Sequence, residues 1–300
     1  MAMRIMRAHV HRIRCAAAAL AVISCAAIPA SSQIDFSETV TFGDSLTHND
    51  LLGWYYGNPQ DMYGNDPHQA VFYKGGVSGD TLTSYAVAGS ESSDVSVQID
   101  LYDFLKTIFV QSKASLFGYE IGGNDILNNI GILAAYAPGQ NASADAVIDD
   151  LIDNVRSQIM YLRSKHRNSE FIIWTIPDVT LTPDQWAYLN DVERANVRAH
   201  MQRVNDLIRG ADRLPFVAVV DVYTELQNLI EYPPVLFDRP IIGPPAYGDY
   251  DHLFADTIHP TAVGNALLAN GIIEKLNAKW GENIPLYTDE ELADLAHIPH

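Results

Sequence analysis

The stretch Val40-Thr41-Phe42-Gly43-Asp44-Ser45-Leu46-Thr47 decides how this sequence is read, because a short apolar and β-branched run ends in a glycine-bearing turn that carries a serine. A run of this kind reads as a buried strand. In an open parallel sheet, functional groups sit beyond the carboxyl ends of the strands, so Ser45 stands where a nucleophile could stand. A hydroxyl is a weak attacker near neutral pH. It needs a base, a group that orients the base, and donors for a developing oxyanion.

Working outward, runs of the same character recur at residues 85–88, 115–121, 171–176 and 216–220. Helical spacing separates them. Asp94 is placed to cap a helix running to Val110, and Ile148, Leu151, Ile152, Val155, Ile159 and Leu162 recur on one face, as do Val197, Met201, Val204 and Ile208. Strands that alternate with helices predict a three-layer α/β/α sandwich with a mainly parallel sheet. No repeat, low-complexity tract or linker interrupts residues 33–300, which read as a single domain with a core over about 38–280. The segments 48–80 and 232–251 depart from the alternation and are rich in Gly, Pro and aromatic residues, including Trp54, Tyr55, Tyr56, Tyr63, Phe72 and Tyr73. Such loops either form a substrate cleft or simply pack against the body. A short helix is expected from Thr288 in the 286–300 tail, with no assigned function.

Of the 300 residues, 48% are hydrophobic and 19% charged, which describes a globular core and not a disordered chain. Residues 1–32 carry Arg4, Arg7, Arg12 and Arg14 ahead of an apolar run from Cys15 to Ile28, followed by Ala30, Ser31 and Ser32. This pattern predicts a secretory signal peptide, hence a secreted or periplasmic protein with no transmembrane span in the mature chain. A variant reading takes Val22-Ile23-Ser24-Cys25 as a lipoprotein processing site that would leave Cys25 acylated. Both cysteines, Cys15 and Cys25, lie in the leader, so the mature chain has no thiol for disulfides, nucleophilic catalysis or metal ligation. Without the leader's four arginines, the 19 basic residues fall to 15 against 37 acidic ones, a formal net charge of about −22. Nucleic acid is excluded as a partner on that balance, since phosphate binding needs clustered Lys and Arg. Solubility is the plain reading of the acidity; adaptation to salt is the sharper one.

A second element, Asp256-Thr257-Ile258-His259-Pro260-Thr261, precedes a helix expected over about 261–278, with Pro260 suited to its first turn. An Asp three residues before a His can reach the imidazole Nδ1 proton, which makes Asp256 a candidate orienter and His259 a candidate base. His252, beside Asp249 and Asp251, is an internal rival. The third element, Glu120-Ile121-Gly122-Gly123-Asn124-Asp125, ends a strand with an uncharged side chain that offers two N–H donors. The fourth, Ala86-Val87-Ala88-Gly89-Ser90, offers a backbone N–H where glycine permits close approach.

Together these blocks resemble the SGNH or GDSL hydrolases, serine esterases and lipases whose blocks carry Ser, Gly, Asn and His in that order. The resemblance spans roughly residues 38–275, and Ile176-Pro177-Asp178 and Asn205 also fit the family's later strand and helix. It implies a flavodoxin-like fold with Ser45 as nucleophile, His259 as base and Asp256 as orienter. The oxyanion hole would come from the Ser45 and Gly89 backbone N–H groups and the Asn124 side chain, with no metal or organic cofactor. Ser84 and Ala88 stand where many relatives have Asn and a further Gly, and Ala255 stands where many have Trp, a change that could widen the site. Gly76-Val77-Ser78-Gly79-Asp80 misses the G-x-S-x-G pattern at its last position, so Ser78 is a poor rival to Ser45. No P-loop, G-x-G-x-x-G or H-E-x-x-H sequence is present.

The expected function is a secreted carboxylic ester hydrolase that acts through an acyl-serine intermediate on a small-molecule, lipid or acylated-carbohydrate ester. Two alternatives stay open: an acyltransferase to a sugar or lipid alcohol with the same triad, and a non-catalytic surface-binding protein. Asn141-Ala142-Ser143 fits the N-glycosylation pattern, or is a plain loop. Natural substrate, acyl-chain length and oligomeric state are left open by the sequence.

Overall fold

The computed structural model describes residues 34, 36, 38–48, 62, 67–75 and 81–300. The leader and its cleavage, Ser78 and most of the aromatic 48–80 segment lie outside the described residues. In chain order the elements are β1 Glu38–Phe42, α1 Pro67–Gly75, β2 Thr81–Ser84, α2 Val95–Thr107, β3 Leu116–Tyr119, α3 Gly123–Asn128 and α4 Ile130–Ala135. They continue with α5 Ala142–Lys165, β4 Glu170–Trp174, a 3-10 turn Val179–Leu181, α6 Pro183–Tyr188, α7 Asp191–Ala211 and β5 Val217–Val220. The last are α8 Val222–Glu231, β6 Val235–Leu236, β7 Arg239–Pro240, α9 Ala262–Trp280 and α10 Asp289–Leu295.

The strands β2-β1-β3-β4-β5 form one parallel five-stranded sheet in that order. Side chains alternate across it. Val40, Phe42, Phe117, Phe171, Ile173 and Val217 pack with Val95, Ile99 and Tyr102 of α2, Leu151 of α5 and Met201 of α7. The opposite face sends Leu116, Ile172, Trp174, Ala218 and Val220 against Ala70 and Val71 of α1 and Ile272, Ile273 and Leu276 of α9. This is the expected three-layer α/β/α sandwich. The chain reverses its winding direction between β1 and β3, the switch point at which open sheets place their ligands.

Several boundaries moved, each for a local reason. The second strand lies at Thr81–Ser84, ahead of the expected 85–88, because Glu38 to Thr41 pair with Thr81 to Ser84 and β1 then ends at Phe42. Tyr85 and Val87 merely extend the ladder, donating from N–H to the Thr41 and Gly43 carbonyls at 2.8 and 3.1 Å. Asp94 precedes α2 but adopts helical angles and makes no side-chain cap; its carboxylate accepts from the Glu91 N–H. Pro260 falls outside α9, whose cap is Thr261 accepting from the Gly264 N–H at 3.1 Å. Asn141 is neither a plain loop residue nor idle, since its Oδ1 accepts from the Ser143 and Ala144 N–H groups and starts α5. The 232–251 segment contains the β6–β7 hairpin, turned at Phe237 and Asp238, both with positive φ.

Candidate active site

The Ser45 turn is held by close approach and by a side-chain clamp. A Cβ on Gly43 would overlap the carbonyl oxygen of Glu120, so only glycine lets β1 pass β3 at that point. Gln98 of α2 receives the Gly43 N–H at its Oε1 (3.0 Å) and donates from Nε2 to the Gly43 carbonyl (2.8 Å). Asp44 closes the turn, its Oδ1 accepting the Leu46 N–H at 3.0 Å in an Asx arrangement. These contacts aim Ser45 out of the end of β1 while leaving it only 8% exposed.

The loop before α9 brings His259 to it. Phe254 bridges to Pro260, the Ala255 N–H donates to the His259 carbonyl at 2.9 Å, and the Thr261 hydroxyl donates to the His252 carbonyl at 2.7 Å. His259 Nε2 lies 2.9 Å from Ser45 Oγ, across 214 residues of sequence, and its Nδ1 lies 2.8 Å from Asp256 Oδ2. The other Asp256 oxygen accepts the Ile258 and His259 N–H groups, both at 2.7 Å. Burial opposes ionisation of Asp256, but the hydrogen bonds and charge of His259 prevail and hold its carboxyl below the ordinary carboxylate range. The three side chains form a hydrogen-bonded line. His252 is turned away, its Nδ1 paired with Asp251 Oδ1 at 3.0 Å.

Asn124, at the start of α3 after β3, donates from Nδ2 to Asp44 Oδ2 at 3.1 Å and to the Ser90 carbonyl at 3.0 Å. Gly122, at φ 114°, makes the turn that delivers it, and a Cβ there would meet the Ile176 side chain at 2.6 Å. Gly89 is exposed with φ 82°, on the turn between Val87, bonded to the Gly43 carbonyl, and Ser90. The four sequence blocks therefore meet at the carboxyl ends of β1 and β3. Ser45 and Asn124 border an open, largely apolar cavity, as do Ile258 and Pro260 on either side of His259. Ala255 is packed beside Met62.

Gln98 carried no readable sequence signal, while Asn205, Glu120 and Asp125 stand in recognisable segments that do not display what they hold. Gln98 lies among apolar positions of an ordinary helix, and only the fold reveals what it holds. Asn205 of α7 clamps Ile176 in the same way, receiving its N–H at 2.8 Å and donating to its carbonyl at 3.1 Å. Glu120 is 1% exposed, and its Oε2 accepts from the Asp44 N–H at 3.5 Å and from the Thr47 hydroxyl at 3.2 Å. Burial first, and the neighbouring Asp44 charge second, push Glu120 well above the ordinary range, and burial also raises Asp44. Asp125 accepts both the N–H and the hydroxyl of Ser92, at 2.8 and 2.6 Å. Among the described residues no group of three or more His, Cys, Asp or Glu is gathered as for a metal ion, and no helix is long and apolar enough to cross a membrane.

This sheet order and site geometry define an α/β/α protein of the hydrolase type, and the GDSL-like lipase/acylhydrolase family pattern matches residues 39–272. The chain belongs to that family. Among solved structures it is similar to a catalytic mutant of an acetylxylan esterase from Geobacillus stearothermophilus (14% identity, 84% of this chain and 99% of that one, TM-score 0.52). Others are the extracellular lipase of Streptomyces rimosus (17%, 81% and 99%, TM-score 0.48) and phospholipase A1 of Streptomyces albidoflavus NA297 (17%, 82% and 100%, TM-score 0.48). At 14% identity the likeness to the acetylxylan esterase shows the fold alone. No curated protein sequence matches the chain.

Proposed function

We propose that this protein is a carboxylic ester hydrolase working by acyl transfer through Ser45, exported by its 1–32 leader and folded as one domain from residue 33. The single observation that carries the reading is the hydrogen-bonded line Ser45 Oγ, His259 Nε2, His259 Nδ1, Asp256 Oδ2, with steps of 2.9 and 2.8 Å. Neutral His259 takes the Ser45 proton as Oγ bonds to the ester carbonyl carbon, and Asp256 stabilises the imidazolium that results. The oxyanion falls to the Ser45 and Gly89 N–H groups and to Asn124, which must exchange one of its two present bonds to serve. His259 then returns its proton to the departing alkoxide. A water molecule repeats the sequence on the acyl-serine, giving the acid and restoring Ser45.

Purified mature protein is expected to hydrolyse p-nitrophenyl acetate or butyrate, and Ser45→Ala to lower kcat by on the order of 10⁶-fold without loss of fold. Retention of full activity in Ser45→Ala, with its circular-dichroism spectrum unchanged, would sink the assignment.

A further inference from the structure

The outer side of α2 is apolar where a surface helix is ordinarily polar. Of the 19 large apolar side chains exposed among the described residues, six fall in one short run: Val97, Leu101, Phe104, Ile108, Phe109 and Val110, each 48% exposed or more. The first four are spaced by four, three and four residues, which is the seam of a helix that packs against another helix. The inner side of α2 is already used, since Val95, Ile99 and Tyr102 pack on the sheet and Gln98 holds the Ser45 turn. Past the last turn, the Val110 and Gln111 N–H groups both donate to the Leu105 carbonyl, at 3.0 and 3.2 Å, and close the helix in a Schellman-type arrangement. Phe109 makes that turn at φ 62°, a conformation that favours glycine, and is itself 94% exposed. A strained phenylalanine held in water gains nothing within one copy of the chain.

We propose that this seam is the interface with a second copy of the chain, α2 packing antiparallel on α2 about a two-fold axis that passes between Leu101 and Phe104. Charge selects both the partner and the direction. Asp103 and Lys106 pair with each other at 2.6 Å, and Asp103 also accepts from the Tyr161 hydroxyl of α5 at 2.8 Å. The exposed charges left along the helix are Asp94 and Asp100 toward its start and Lys113 beyond its end. Antiparallel pairing sets Val97 of one copy against Ile108 of the other, Leu101 against Phe104, and Asp94 near Lys113, while Phe109 and Val110 reach over the first turn of the other helix. Parallel pairing would set Asp94 beside Asp94 and Asp100 beside Asp100. A lipid surface fits less well, because Asp94 and Asp100 flank the seam where a membrane-bound helix carries Lys and Arg, and the chain from residue 33 has a net charge of about −22.

Sedimentation of the mature protein is expected to show a dimer that dissociates on dilution, and Phe104→Asp to weaken it by at least about tenfold with an unchanged circular-dichroism spectrum. Residues 33–300 contain no cysteine, so introduced thiols report the contact without interference. Val97→Cys together with Ile108→Cys is expected to be joined into a covalent dimer by a short bismaleimide, whereas Val97→Cys alone is not, because antiparallel pairing holds the two copies of residue 97 at opposite ends of the seam. Should Phe104→Asp fail to fold, the cysteine variants decide the matter by themselves. Asp94→Lys is expected to weaken the dimer, and the addition of Lys113→Asp to restore it. The inference is overturned if the protein sediments as a monomer at every concentration, if Phe104→Asp leaves the dimer as tight as before, or if Val97→Cys alone cross-links as readily as the pair. It is likewise overturned if the protein stays monomeric and binds phosphatidylcholine vesicles in a manner that Phe104→Asp abolishes. None of these readouts depends on ester hydrolysis at Ser45.

Discussion

At the residue scale, the Ser45 turn rests on two buried carboxyls outside the line of Ser45, His259 and Asp256. The Asp44 N–H donates to Glu120 Oε2 at 3.5 Å, and the Thr47 hydroxyl donates to the same oxygen at 3.2 Å. Burial raises both carboxyls, and Glu120 is the one pushed well above its ordinary range, by burial first and the Asp44 charge second. Asp44 accepts from Asn124 and from the Leu46 N–H, which ties the Ser45 turn to the Asn124 side chain. Glu120→Gln keeps an oxygen to accept from the Asp44 N–H and the Thr47 hydroxyl and is expected to keep the fold with kcat reduced less than about tenfold. Glu120→Ala leaves both donors short of an acceptor over a void and is expected to cost about 2–4 kcal/mol with a larger loss of kcat. Urea denaturation beside ester assays separates the two; equal behaviour of the variants would remove Glu120 from this role. Ser45, Asp256 and His259, which the fold brings into one hydrogen-bonded line, were legible as candidates because short local spacings display their chemistry. Glu120 was visible in its motif but its burial was not, because burial follows from packing and not from neighbours in sequence.

At the element scale, α8 supplies Leu226 and Leu229 to the cavity and carries a half-buried carboxyl, Glu225, next to Leu226. Burial, aided by the charges of Glu274 and Asp221, raises Glu225 to about 7 from its ordinary 4.5. A carboxyl raised on folding favours the native state fully below pH 4.5, and that contribution is lost as pH rises from 4.5 through about 7. Unfolding free energy is therefore expected to fall over this window by up to about 3 kcal/mol from this group, and Glu225→Gln to flatten the fall and be more stable than the parent at pH 8. Denaturant titrations at pH 5 and pH 8 measure both slopes; identical pH dependence would show that Glu225 has a partner in solution. The expected helices and four of the five strands were legible from periodicity; the second strand was not, because pairing with β1 places it at Thr81–Ser84, wholly before the expected 85–88. Helix starts shifted where geometry chose the cap, as at Asp94 and Pro260.

At the scale of the whole molecule, the C-terminal tail is structural. Thr288 and Glu291 form a capping box at the start of α10, Glu291 pairs with Lys74 of α1 at 2.6 Å, and Leu292, Ala293, Ala296 and Ile298 are buried. They join the cluster containing Leu226, Leu253 and Phe254, so the tail backs one wall of the cavity. Leu292→Ala is expected to destabilise the protein by about 2–5 kcal/mol and, through that wall, to raise KM for p-nitrophenyl butyrate, read by thermal melting and steady-state assays. A change in melting temperature alone would confine the tail to stability. By itself, the sequence determined the alternation of strands and helices and the residue types able to perform acyl transfer, because periodicity and reactive groups are properties of local segments. Only the tertiary structure decided that His259 reaches Ser45, that Gln98 grips Gly43, that Glu120 is buried beside Asp44, and that three clusters leave an apolar space beside Ser45. Distance between remote segments, dielectric surroundings and unfilled volume arise when elements pack, and no short stretch of sequence encodes them.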